Sequence, residues 1–75
     1  MNLHRKNEIS PIVKNVGERI KTIIEQKKLR QRDVAHDADL DVENLRKYIK
    51  GSQEMKISTM VKIVNALEIN VEYLF

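Results

Sequence analysis

Asn44, Arg46, Lys47 and Lys50 bring an amide, a guanidinium and two ammonium groups onto about two turns of chain, with the carboxylate of Glu43 beside them. Groups of this kind make directional hydrogen bonds to base edges. An amide such as Asn44 pairs bidentately with adenine, Arg46 or Lys47 can donate to guanine, and Glu43 can accept from a cytosine amino group. Covalent chemistry has no comparable support. The chain has no Cys, no discernible Ser–His–acid arrangement, no Gly-rich phosphate loop and no His/acid spacing suited to a metal, so no enzyme activity and no cofactor is expected.

For these side chains to act together, residues 42–50 must form a helix with its apolar side turned inward. VENLRKYIK has that pattern: Leu45, Tyr48 and Ile49 are inward, while Glu43, Asn44, Arg46, Lys47 and Lys50 stay outside. Asp41 stands where an N-cap carboxylate can accept from the first free backbone N–H groups, and Gly51 closes the helix. A second short helix precedes it, Gln31 to Ala38, with Val34, Ala35 and Ala38 on one face. Ala35, Leu40 and Leu45 are small or apolar where the two helices must touch. A short helix with a polar free face suits a major groove.

These residues resemble the helix-turn-helix DNA-binding proteins of the phage Cro and repressor (XRE-like) type. Gln31, Val34-Ala35, Leu40, Asp41, Leu45 and Gly51 stand at the family's motif positions, and the likeness runs over about residues 16–75. It departs in three places: Arg30 where a Thr cap is usual, Asp39 where the turn favours Gly, and Ile49 where Glu is common. The turn position often requires positive φ, which Asp tolerates better than most residues. The resemblance implies that Gln31, Val42, Glu43, Asn44, Arg46 and Lys47 face DNA, with Val42 exposed and Gln31 holding the backbone. Lys50, at the helix end, is placed to meet a phosphate. Arg32, with Lys27, Lys28 and Arg30, crowds the approach to the helix pair and can grip phosphates.

Seventy-five residues make one domain, close to the smallest that a single core sustains without staples. Without Cys no disulfide can help, so aliphatic packing must hold it. The net charge of +3 hides an asymmetry. Residues 1–32 hold nine Lys/Arg against three Glu, whereas 33–45 hold five acids and no Lys or Arg. Within that run Asp37, Asp39 and Asp41 alternate as in a calcium loop, but Val42 stands where such a loop needs Gly and Tyr48 where it needs Glu. His4 and His36 are read as exposed imidazoles.

Residues 1–11 are polar and aperiodic, an N-terminal arm whose Arg5 and Lys6 have phosphates or a minor groove as possible targets; Ser10 is a candidate cap. From about Ile12 to Lys27, Val13, Val16, Ile20, Ile23 and Ile24 form one amphipathic stripe. After the polar SQEMK loop, Ile57, Met60, Val61, Val64 and Leu67 recur at helical spacing. Asn70 can cap a last turn that gathers Val71, Leu74 and Phe75 for the core or for a dimer surface.

The expectation is an all-α fold, a lambda-repressor-like bundle of five short helices over residues 12–75 behind the arm. Its expected work is sequence-specific binding of double-stranded DNA as a homodimeric cytoplasmic regulator, a repressor, with helix 42–50 in the major groove. No stretch approaches the roughly 18 apolar residues of a membrane span, and no signal-peptide core is present. A second reading of different class stays open: a protein-interaction module or antitoxin of the same fold, docking a partner on its acidic 33–43 face.

Overall fold

The computed structural model describes residues 10–75. Four α-helices follow one another: α1 (Pro11–Gln26), α2 (Gln31–Asp37), α3 (Val42–Lys50) and α4 (Ile57–Leu67). The expected fifth helix is a 3-10 turn, Val71–Leu74, because VEYLF offers only enough chain for a single tight turn. No strand occurs among the described residues. Of the residues assigned to the arm, 1–9 lie outside them, while Ser10 caps α1 and Pro11 opens it. Its ring replaces an N–H that would have no partner, and Ser10 Oγ accepts from the Ile12 N–H at 3.2 Å.

The core is aliphatic. Ile20, Leu45, Ile63, Leu67 and Leu74 are its largest fully buried side chains, one from each element except α2 and two from α4. α2 adds Val34 and Ala35, and Ala38 follows it. The expected stripe of α1 is present, with Val16, Ile20 and Ile24 buried and Val13 and Ile23 half-buried. α4 is turned from its expected phase. Ile63, Val64 and Leu67 are buried, whereas Ile57 is 80% exposed and Val61 is exposed too. The run MVKIV admits two helical stripes, and packing against α2 and the 3-10 turn selects Met60, Ile63, Val64 and Leu67.

The most extensive helix pairing is α1 on α3, and Gly17 makes it possible. A methyl there would collide with the carbonyl oxygens of Tyr48 and Ile49, the latter at 2.6 Å. A mid-helix glycine costs about 1 kcal/mol against alanine, so contact rather than propensity explains it.

All four helices end in the same way. Each chain reverses through one left-handed residue, followed by a bond from the next N–H back to the last turn. Lys28, Asp39 and Glu68 take φ 58° and Gly51 takes φ 72°. The returning bonds are Leu29 to Ile24, Leu40 to Ala35, Ser52 to Lys47 and Ile69 to Val64, at 2.8–3.1 Å. The positive φ expected at Asp39 is thus observed. The carboxylate cap expected of Asp41 is not: its backbone oxygen accepts from Asn44 and Leu45, but its exposed side chain bonds no amide. In water a net hydrogen bond is worth only about 1 kcal/mol, so solvation competes on equal terms. Asn70 likewise caps through its backbone oxygen and not its amide.

Candidate nucleic-acid interface

α2 and α3 present one continuous polar face. α3 turns Leu45, Tyr48 and Ile49 into the core, as its spacing demanded, and leaves Glu43, Arg46, Lys47 and Lys50 in solvent. Two site residues differ from expectation. Val42 is not exposed but half-buried and packed against the core, since the first turn of α3 lies close to its neighbours. Asn44 is half-buried.

Gln31 is the first residue of α2, where the helix starts without a side-chain cap, as Arg30 implied. From there its Oε1 accepts from Arg46 Nε at 3.4 Å, across 15 residues of sequence. Arg46 Nη1 also donates to Glu43 Oε2 at 3.2 Å, one turn back on its own helix. The guanidinium is therefore held from both helices. Two of its five N–H groups are engaged, and the three that remain suffice for a bidentate pair with guanine. Sequence reasoning placed all three residues at the interface but missed that they bond to each other. The only available signal was that polar residues opened α2 and recurred mid-way along α3.

Lys47 and Lys50 extend the face toward Gly51, and the Lys47 carbonyl is tied down by Ser52 through both N–H and hydroxyl, at 3.0 and 3.1 Å. Basic residues in the last turn of α3 also suit the negative end of its dipole. Arg32, Lys27, Lys28 and Arg30 are all exposed at the approach to α2. Arg5 and Lys6 lie outside the described residues.

The acidic 33–43 stretch is less free than its composition suggests. Glu43 is paired to Arg46, Asp39 lies 3.9 Å from Lys62 Nζ, and Asp37 lies 3.7 Å from the exposed His36. Among the described residues no three His, Cys, Asp or Glu side chains gather as a metal site would require. No helix among them is long and apolar enough to cross a membrane.

Known proteins share this fold. A family model described as a helix-turn-helix domain matches residues 17–75. No curated protein matches the chain. Among solved structures, the wild-type restriction-modification controller protein C.Esp1396I is similar at 26% identity, over 88% of this chain and 86% of that one, with a TM-score of 0.81. The restriction-modification controller protein C.AhdI from Aeromonas hydrophila is similar at 24% identity, over 84% and 96% of the two chains, with a TM-score of 0.81. The clp gene regulator ClgR from Corynebacterium glutamicum shares 15% identity over 89% and 71%, with a TM-score of 0.83. The last two likenesses bear on the fold alone.

Proposed function

The chain belongs to the helix-turn-helix domain family of DNA-binding transcriptional regulators, and we propose that it reads double-stranded DNA by laying α3 in the major groove as a homodimer. The observation that carries this reading is the outer face of α3. It is polar throughout, it is supplied with Gln31 by α2, and its one guanidinium is held in place with three N–H groups free. In this arrangement Arg46 and Asn44 read base edges, while Lys47, Lys50 and Arg32 meet phosphates. A protein so placed represses by excluding other proteins from the same stretch of DNA.

The dimer is supported by what the bundle leaves uncovered. Besides Ile12 and Leu29, the exposed large apolar residues are Ile57, Val61, Val71, Tyr73 and Phe75, all in the last third of the chain. Two copies joined there and related by a dyad would present their recognition helices about 34 Å apart, one turn of DNA. A protein-docking role for the acidic stretch is less favoured, because Glu43 and Asp39 already have cationic partners.

The experiment is a salt-titrated binding assay on a selected site and on scrambled duplex, with circular dichroism as the folding control. Log K should fall with log salt by about 0.9 per phosphate contact. Lys50→Ala should weaken both duplexes alike and reduce the slope by about one contact, whereas Asn44→Ala should cost about 1–3 kcal/mol on the selected site alone. Binding indifferent to salt would sink the proposal.

A further inference from the structure

α3 carries one outward acid among three outward cations, and among the described residues one of those cations is paired. Arg46 is bonded to Glu43 at 3.2 Å, while Lys47, Lys50 and the Arg32 of α2 make no ion pair among the described residues. We propose that Glu43 is a specificity-determining residue of this face: it holds Arg46 for base edges and withholds it from phosphates. This inference rests on the major-groove reading and deepens it.

Non-specific affinity for DNA is essentially phosphate neutralisation, and a free cation on a flexible stem contributes to it at any sequence. Lys47 and Lys50 have that freedom. Arg46 does not, because Gln31 takes its Nε–H and Glu43 takes one Nη1–H. The exposed pair is weak as a source of stability, with side chains 48% and 69% exposed. Its effect on binding is larger in kind. A swing of Arg46 to a phosphate strands the Glu43 carboxylate beside a polyanion, and the charge gained at one atom is lost at the next. A guanine edge imposes no such loss. Arg46 can donate two of its remaining N–H groups there while keeping Glu43 and Gln31, and a guanidinium already fixed loses little freedom on binding. The carboxylate therefore taxes the wrong contact and leaves the right one alone.

Glu43→Gln tests this, since it keeps the shape and an acceptor oxygen and removes only the charge. Affinities are measured across a salt titration for a duplex selected from random sequence and for scrambled duplex, in the full chain. We expect scrambled DNA to bind more tightly, its salt slope to steepen by about 0.9, one added phosphate contact. The ratio of selected to scrambled affinity should fall about two- to fivefold, the scale of an exposed ion pair. In an Arg46→Ala background, the same change should leave the ratio unmoved, because the residue Glu43 positions is gone. Equal strengthening of both duplexes in the wild-type background would reduce Glu43 to plain repulsion and overturn the inference. So would a fall in the ratio that persists without Arg46, which would make Glu43 itself the reader. A wild-type protein with no preferred duplex overturns the major-groove reading as well, and that failure is visible before any variant is made.

Discussion

α3 has two neighbours that treat it in opposite ways. Toward α1 the gap is closed down to backbone: a methyl on Gly17 would strike the carbonyls of Tyr48 and Ile49, and a Cβ on Gly51 would lie 2.8 Å from the Lys14 Cα. Toward α2, the polar surface is bridged by one bond of 3.4 Å between the ends of Gln31 and Arg46. The first seam has no room for a carbon atom, whereas the polar rim of the second is closed only by an exposed hydrogen bond between side chains. The backbone of α3 is thus close-packed on one side, while on the other its polar side chains face solvent. The helix ends make the same point. Lys28, Asp39 and Glu68 accept a left-handed backbone with a side chain attached. Glycine stands only at the third such turn, after α3, where Lys14 takes the space.

The comparison is best broken at the first seam. Gly17→Ala should cost about 3 kcal/mol, at the upper end for forcing atoms into a packed interior, and lower the melting temperature by roughly 15 °C. A variant that melts like wild type would mean that α1 and α3 can part at no cost, and the contrast would collapse. At the second seam, Arg46→Ala should reduce affinity for the selected site by about 1–3 kcal/mol. Its unfolding free energy should stay within about 0.5 kcal/mol of wild type, as for surface changes generally.

The turns give smaller effects of opposite sign. Lys28→Gly and Glu68→Gly should each stabilise by up to about 1 kcal/mol, and Asp39→Gly by less, because Asp tolerates this backbone region better. The exposed contact of Asp39 with Lys62, at 3.9 Å, offsets little of that gain. Gly51→Asn should destabilise despite the suitability of Asn for positive φ, which separates lack of space from backbone preference in the same urea titrations. Gln31→Ala should show least, about 0.5 kcal/mol in specific affinity and nothing in stability. A loss exceeding that of Arg46→Ala would reveal that Gln31 touches DNA in its own right.

What could be read beforehand follows from where each constraint resides. The inward residues of α3 and the stripe of α1 were legible because a helical period is written in the residues themselves. Asp39 was legible through the family resemblance, because it stands where that turn favours Gly and positive φ. The phase of α4 was not, since 60–64 is apolar enough for two stripes and α2 makes the choice. Gly17 was silent for a different reason: its requirement lies in carbonyl oxygens more than thirty residues away. The interface followed suit. Its residues were named from position and type, but Val42 was pulled inward by the core. The bond from Gln31 to Arg46 depended on a helix crossing that local spacing does not encode.

The 3-10 turn has a consequence for how long the molecule lasts. Leu74 is 1% exposed, yet the turn that carries it spans only four residues, closed by Tyr73 to Asn70 at 3.0 Å and Phe75 to Glu72 at 3.2 Å. Elements this short open at lower free energy than the helices they cover. Its amides should exchange with solvent first, and each opening draws Leu74 away from Val16, with which it lines one hollow, and frees the backbone after Asn70 for a protease. Turnover of the free monomer then starts at this turn while α3, packed against α1 and α2, is still intact, and a partner copy seated on Val71, Tyr73 and Phe75, as proposed, would shield it.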